Sequence, residues 1–232
     1  PDAGTGTGAH TILCQMIAEV LEIPFGRVRL EVGTTDCFRS ESGTGASRVT
    51  FVLGQAVLSA VDKLKALLRE RAAPMLGVSS TEVIMQKGRL QVKSGGSQVL
   101  SMAQIAAAEA AKGQRIEVES YFQATETPPE GVFTACVAEV AVDIETGQVN
   151  LHRLDTVHDV ATVLNPVGHQ GQIDGGIMQG VGYALMEEMV MEDGKVMTAN
   201  LGEYKIPNIK DRRSLETTIG RGEDGAAPFQ SK

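Results

Sequence analysis

The sequence predicts an α+β fold in which helices pack on mixed sheets and the chain divides into two subdomains. Segments with apolar residues at helical spacing are mixed with segments that alternate polar and apolar residues. The two kinds of segment do not follow strict βαβ order, which favours α+β with at least two sheets. The pattern changes from mainly helical to mainly alternating at Arg115, so we place the subdomains at residues 1–114 and 115–232.

The first subdomain combines helical and extended patterns. Apolar residues recur at helical spacing over residues 9–22 and again from about Ser47 to Ala73, which predicts two helices. Alternation of basic and apolar residues from Arg27 to Val32 predicts a strand. A hairpin that turns at Lys87-Gly88 and a short helix that ends at Gly113 complete this subdomain.

The second subdomain is dominated by alternating runs. Residues 115–123 alternate, and two further runs are joined by a hairpin with Gly147 at its turn. Helix-forming residues resume over 176–189, and a second hairpin turns at Asp193-Gly194. Residues 214–219 predict a final strand.

Composition and charge restrict the class of ligand. The 232 residues carry a formal net charge of -8, contain no tryptophan and are only 4% aromatic, which argues against nucleic acid and against an anionic membrane surface. A bound anion would have to be held by backbone dipoles and single basic side chains. No run reaches transmembrane length. The abrupt start at Pro1 and end at Lys232 lead us to expect a piece of a longer polypeptide.

The three cysteines do not have the spacing of an iron–sulfur or structural zinc site. Cys14, Cys37 and Cys136 lie far apart in the sequence. Cys14 and Cys136 lie within apolar runs, so we expect both to be buried in the core. The odd number of cysteines favours a reducing compartment, which predicts a cytoplasmic protein.

Three glycine-rich stretches, at residues 4–11, 43–57 and 171–182, each lead into an apolar, helix-like run, which raises the hypothesis of one shared ligand. Ser47, Arg48 and Thr50 supply hydroxyls and a guanidinium at a helix start, a set that suits phosphate. Within the third stretch, Gln172 and Gln179 flank a glycine-rich helix start that is otherwise apolar, where a buried amide would need a partner.

Simpler and competing explanations of the glycines remain open at this point. They could serve only as turns and helix caps. A Rossmann dinucleotide site is a remote alternative, because no strand precedes the first glycine stretch. A P-loop is excluded, since the sequence lacks the Gly-Lys-Ser/Thr motif.

Six stretches together resemble the C-terminal half of the molybdopterin-binding region in the xanthine dehydrogenase/aldehyde oxidase family, the molybdenum hydroxylases. The resemblance covers nearly the whole chain, and the order and spacing of the stretches are those of the family. The stretches are GTGAHTILCQMIAEVLEIPFGRVRLEVGTTD, SGTGASRVTFVLGQAV, CVAEVAVDIETGQVNLHRLDTVHDVATVLNP, GQIDGGIMQGVGYALMEE, NLGEYKIPNIKD and APFQSK.

The resemblance implies a fold like that of molybdenum-cofactor-binding domains. It also implies an enzyme that hydroxylates a heteroaromatic ring or oxidises an aldehyde with oxygen derived from water. The implied cofactor is molybdopterin with molybdenum, in its simple form or as the cytosine dinucleotide. Implied partners are the remaining half of the molybdopterin-binding region and the domains or subunits that carry iron–sulfur clusters and FAD. We expect the intact enzyme to be an oligomer.

Carried over residue by residue, the resemblance assigns Gly6, Thr7 and Gly8 to a cofactor loop, with threonine where the family has glutamine. Gly45 and Ala46 correspond to small residues that border the substrate. The remaining cofactor contacts fall on Ser47, Arg48, Val49, Thr50 and Gln172.

The resemblance assigns no catalytic residue and no metal ligand to this chain. His158 and Asp159 match a segment that we interpret as structural. In the family the pterin dithiolene holds the metal, and the general-base glutamate follows the Ser-Lys pair by a few residues, beyond Lys232. We therefore expect the isolated chain to be inactive. The alternative from another class is a stand-alone, non-catalytic binding or interaction module of the same fold.

Overall fold

The computed structural model describes residues 6–34, 36, 43–125, 131–211, 214–220, 222 and 225–232. Helices are mixed with antiparallel and parallel strand pairs, so the predicted α+β class is confirmed. The chain divides into two compact units. The first unit spans Pro1–Pro128 with Ala226–Phe229, and the second unit spans Pro129–Gly225 with Gln230–Lys232. The subdomain boundary proposed at 114/115 stays a prediction.

The first unit contains three helices and one antiparallel sheet of order β1-β2-β3. Its core is formed where one face of the long helix α2 meets that sheet and helix α3. The elements are α1 (Ala9–Leu21), α2 (Val49–Leu76), β1 (Val83–Gln86), β2 (Arg89–Val92), β3 (Val99–Ser101) and α3 (Met102–Ala110). The core residues are Leu68, Ala72, Ala73, Val83, Leu90, Leu100 and Ile105.

Most of the predicted elements of this unit are present. α1 and α3 lie within a few residues of their predicted bounds, and the hairpin turns at Lys87-Gly88. α2 extends three residues beyond the predicted end, through Pro74, and ends at Gly77 with φ 68°. Ser101 caps α3 through a capping box with Gln104.

Two predicted extended segments are wrong as strands. Phe25–Arg27 is a short 3-10 helix, and residues 28–32 pair with no strand in the described part of the chain. Residues 115–123 also lie outside the sheets, although every second side chain is partly buried. In the latter segment, the Phe122 ring packs edge-to-face on Phe51, with ring centroids 5.7 Å apart. The alternation of residues 115–123 therefore reflects packing of one side of the segment, and not hydrogen bonding to a neighbouring strand.

The second unit is built on a sheet of order β4-β5-β8, in which β5 runs antiparallel to β4 and parallel to β8. Helix α4 packs against β5 and β8, where Leu151, Leu154 and Leu215 line a small cavity with Ile177, Met178 and Val181. The elements are β4 (Thr134–Val142), β5 (Val149–Asp159), α4 (Pro166–Leu185), the hairpin strands β6 (Met191–Glu192) and β7 (Lys195–Val196), and β8 (Ser214–Gly220).

The third glycine stretch is not a loop, which corrects the interpretation of residues 171–182. α4 begins ten residues before the predicted start, because Asn165 caps it and Pro166 occupies its first position. The Asn165 Oδ1 accepts the Gly168 N–H at 3.1 Å. The α4 side chains Ile177, Met178 and Val181 line a cavity with leucines of β5 and β8, and burial of this kind offsets the low helix propensity of the glycines.

The two cysteines that the structure describes differ from each other. Cys14 is buried, as predicted, and burial raises the pKa of its thiol. The prediction that Cys136 is buried is wrong, because α4 covers β5 and β8 and leaves β4 exposed along its length. Cys37 lies outside the described residues.

The C-terminal part of α4 depends on a glycine at position 182. A Cβ added at Gly182 would lie against Glu187 Oε1 and 2.8 Å from Pro207 Cδ. Glu187 cannot move aside freely, because its Oε2 accepts a hydrogen bond from the Tyr204 hydroxyl at 2.6 Å, which also raises the pKa of Tyr204. We expect Gly182→Ala to lower the free energy of unfolding in urea by about 1–3 kcal/mol.

Gly180→Ala is the matched control for that change. Gly180 is on the same helix, and a Cβ there would meet nothing within 4 Å. This variant should keep or raise stability, by up to about 1 kcal/mol from helix propensity. Equal losses in the two variants would contradict the role assigned to Gly182.

Candidate functional site

The first glycine loop, at residues 6–8, turns the chain into the start of α1. Gly6 and Gly8 both have left-handed backbone, with φ of 84° and 78°. Gly8 is the residue before α1, and its carbonyl accepts the Ile12 N–H at 3.1 Å. Glycine is required at both positions because other residues adopt this backbone only at a cost.

Between these glycines, Thr7 has a buried hydroxyl with no hydrogen-bond partner in the described part of the chain. Among the described residues its Oγ1 is one of a few buried side-chain polar atoms in this state. A buried hydroxyl that makes no hydrogen bond costs about 1–3 kcal/mol. The loop therefore holds an unused donor and acceptor next to a helix N-terminus.

The second glycine loop, at residues 43–48, contains two strained residues in succession. Ala46 and Ser47 have φ of 51° and 52°, a left-handed backbone that costs an L-residue about 1–2 kcal/mol. Neither is glycine, and both are exposed. Strain of this kind is concentrated at ligand-binding loops. Sequence reasoning chose this loop for its composition and did not foresee the strained backbone.

This second loop places a guanidinium at the start of a long helix. Arg48 is the residue before α2, and its N–H donates to Gly45 O at 3.3 Å. Its side chain is exposed and forms no ion pair among the described residues. Val49 and Thr50, which begin the helix, are half-buried.

Both helix starts are suited to an anion. In the described part of the chain, neither α1 nor α2 has a side-chain cap or an acidic residue in its first turn. Their first N–H groups are therefore not engaged by side-chain caps, and the helix dipole favours negative charge at these positions. With the Thr7 hydroxyl and Arg48, these donors fit a group rich in acceptor oxygens, such as the phosphate of molybdopterin.

The remaining predicted site residues, Gly45 and Gln172, belong to different units of the chain. Gly45 is exposed beside the strained pair, and a Cβ there would meet nothing within 4 Å. Gln172 belongs to the second unit, on the exposed face of α4. The expectation of buried amides at Gln172 and Gln179 is wrong, since α4 turns both outward; the Gln179 amide donates to the Tyr183 hydroxyl at 3.0 Å.

A polar cluster at the end of β5 was assigned only a structural role from the sequence. His158 Nδ1 lies 3.2 Å from Thr134 Oγ1, and its buried Nε2 has no partner among the described residues. Burial lowers the pKa of His169, and the nearby His158 lowers it further. Lys232 is almost fully buried and donates to Asp159 Oδ2 at 2.8 Å, a pairing that nothing in the local sequence indicates.

The described residues include no group of three or more His, Cys, Asp or Glu side chains placed to hold a metal ion. Within the same residues, no helix is long and apolar enough to cross a membrane.

Comparisons with known proteins identify the family and the fold of the chain. Residues 3–213 match the family model of the molybdopterin cofactor-binding domain. The chain is similar to the putative xanthine dehydrogenase molybdenum-binding subunit of Escherichia coli K12, with 33% identity over 221 residues. That match covers 92% of this chain and 29% of the relative.

Solved structures likewise match the whole of this chain with only part of their own length. The reconstituted CO dehydrogenase from Oligotropha carboxidovorans superposes with a TM-score of 0.82 at 27% identity, and the match covers 100% of this chain and 29% of that one. Quinoline 2-oxidoreductase from Pseudomonas putida 86 superposes with a TM-score of 0.80 at 25% identity, covering 100% and 30%. The chain thus spans less than a third of the length of the relatives that it matches.

Proposed function

The chain belongs to the molybdopterin cofactor-binding domain family, and we propose that it forms part of the cofactor-holding region of a molybdenum hydroxylase. Molybdopterin, when bound, supplies the molybdenum at which such an enzyme oxidises its substrate. The proposed reaction is hydroxylation of a heteroaromatic ring or oxidation of an aldehyde with oxygen from water. Xanthine dehydrogenase and quinoline 2-oxidoreductase among the relatives, both named for heteroaromatic rings, support the ring-hydroxylation part of this proposal.

The buried, unpartnered hydroxyl of Thr7 is the observation that carries the proposal. It lies between two left-handed glycines, directly before α1. A folded protein retains a buried polar atom without a partner at a cost, and a bound ligand would remove that cost. We assign the Thr7 hydroxyl and the flanking N–H groups of residues 6–8 to the cofactor.

The second glycine loop supplies the remaining contacts in the first unit. The N–H groups of Val49 and Thr50 begin α2, and Ser47 and Thr50 add hydroxyls that can donate to phosphate. Arg48 adds a positive charge in a chain whose net charge is -8. Gly45 and Ala46 leave open space in which a planar substrate could approach.

In the second unit, we assign Gln172 to the cofactor through its side-chain amide, which lies on the exposed face of α4. The proposed cofactor includes the simple and the cytosine dinucleotide forms of molybdopterin. Iron–sulfur clusters, FAD and the general-base glutamate are proposed to come from other parts of an oligomeric, cytoplasmic enzyme.

Thr7→Val tests the proposal because it should have opposite effects on stability and on cofactor binding. Without cofactor, removing the buried hydroxyl should raise the free energy of unfolding by about 1 kcal/mol. In protein loaded with cofactor, loss of one hydrogen bond should lower the affinity for molybdopterin by roughly two- to tenfold. The measurements are urea unfolding of the cofactor-free protein and its pterin content after loading.

Thr11→Val is the matched control, because Thr11 is exposed in the first turn of α1, four residues after Thr7. It should change neither quantity. If Thr7→Val left pterin binding unchanged while stability rose, Thr7 would be an ordinary buried defect and the assignment would be wrong.

A further inference from the structure

We infer that strand β4 is an interior strand of a larger core, and that a segment of the same polypeptide outside these 232 residues covers it. The inference rests on the proposed function, in which the chain is part of a larger subunit. It adds to that proposal the surface through which this chain contacts the rest of the subunit.

The second unit has almost no core of its own. Of the seventeen hydrophobic residues buried in the described part of the chain, only Val160 and Ala161 belong to this unit. Of the twenty-two large hydrophobic residues exposed in the same part, eighteen belong to it. A unit of about a hundred residues normally buries most of its apolar side chains, because that burial offsets the entropy of folding.

Strand β4 is the element of this unit whose exposure is most complete. All nine of its residues are exposed. Ala138 and Val140 pair with Leu154 and Leu151, which line a cavity together with residues of α4, so they share the face of the sheet that α4 lies on. α4 does not extend over them, and this face of β4 also carries Cys136 and Val142.

The opposite face and the outer edge of β4 are also uncovered. Val137 points to the other face and is 67% exposed. In the described residues β4 pairs with β5 alone, so its other edge offers unpaired N–H and C=O groups. Its sequence, TACVAEVAV, contains no lysine or proline, and Glu139 is its single charged residue, so the edge has little of the charge that normally protects an exposed strand.

A second copy of this chain does not explain the whole surface. A twofold contact between copies covers one patch of each chain, whereas β4 exposes apolar side chains on both faces, with Glu139 as its one charged residue, and is open at its edge. The matched relatives are more than three times as long as their matched part, which leaves ample chain to surround a strand. We therefore assign the edge to an added strand with alternating apolar residues, and the two faces to elements that flank it.

Cys136 provides a direct probe of this surface. We compare its labelling by N-ethylmaleimide in the 232-residue chain and in the protein expressed with its flanking coding sequence, with mass-spectrometric mapping of each cysteine. Cys136 should react freely in the short chain and at least about tenfold more slowly in the longer protein, where labelling requires local opening. Cys14, buried within the first unit, should react slowly in both.

Three results would overturn the inference. These are equal labelling of Cys136 in both proteins, protection in the short chain that rises with its own concentration, and a reading frame confined to these 232 residues. Molybdenum content is measured in the same samples, so that failure of the proposed function is seen separately from failure of the covered strand.

A variant pair tests the surface without the thiol. Val140→Asp should lower the melting temperature of the longer protein and leave that of the short chain unchanged, since Val140 is exposed in the latter. Ile144→Asp is the control, because Ile144 is 96% exposed just beyond the strand. A matching loss in both proteins for Val140→Asp would contradict a contact made only in the longer one.

Discussion

Arg48→Ala should lower the affinity of the assembled enzyme for molybdopterin by roughly ten- to a hundredfold. A hydrogen bond to a charged group contributes about 1.5–3 kcal/mol, and about 1.4 kcal/mol corresponds to a factor of ten. Arg48 is exposed at the start of α2, so no buried contact is lost with it. The measurement is molybdenum and pterin per polypeptide after loading at limiting cofactor concentration.

Two variants sharpen this prediction. Arg48→Lys keeps the charge but loses the planar fork, and should bind the cofactor with an affinity between the wild type and Arg48→Ala. Lys93→Ala removes an exposed cation elsewhere in the first unit and should have no effect. Unchanged molybdenum content in Arg48→Ala would show that Arg48 is a solvated helix-start residue.

The double variant Arg71→Ala, Lys112→Ala should lower the free energy of unfolding by about 3–5 kcal/mol. Glu109 has a side chain only 3% exposed, and its two oxygens are held by Arg71 Nε at 3.2 Å and Lys112 Nζ at 2.7 Å. Removing both cations leaves a buried carboxylate without these partners. The expected loss is measured by urea or thermal unfolding.

The size of this effect depends on which partner is removed. Glu109→Leu removes the buried charge itself, leaves two cations that reach solvent, and should cost less than the double variant. Lys93→Ala again serves as the control. If Glu109→Leu were the more damaging change, the carboxylate would be stabilising for a reason other than its ion pairs.

The sequence predicted helices and hairpins more reliably than isolated strands. The helices α1 and α3 and the turns at Lys87-Gly88 and Gly147 depend on local spacing and turn chemistry, which a sequence shows directly. A strand also needs a partner. Residues 115–123 alternate as a strand would, yet they lie along the first unit without a ladder, because one-sided packing produces the same period.

For helix α4 the error was of another kind, because part of a helix was interpreted as a loop. Its glycines suggested a loop over 171–182, and the stronger signal was the Asn165-Pro166 pair, a helix cap followed by proline at the first position. The burial of Cys136 was predicted wrongly. It depends on whether other elements of the fold cover β4, and the sequence of β4 and its neighbours does not show this.

Within the candidate site, composition identified the loops but not their conformations. Glycine, hydroxyl and arginine residues indicated an anion site at 6–8 and 45–50, and the structure places these residues before two long helices. The left-handed backbone of Ala46 and Ser47, and the buried Thr7 hydroxyl that has no partner among the described residues, could not be predicted, because no local residue pattern specifies them.

The most direct test of the central claim is the molybdenum and pterin content of the protein. The protein is expressed with its flanking coding sequence in a host that makes the cofactor, purified, and analysed for metal and for pterin fluorescence after denaturation. We predict molybdenum and pterin in equal, stoichiometric amounts. A folded protein that contains neither would contradict the claim that these glycine loops hold molybdopterin.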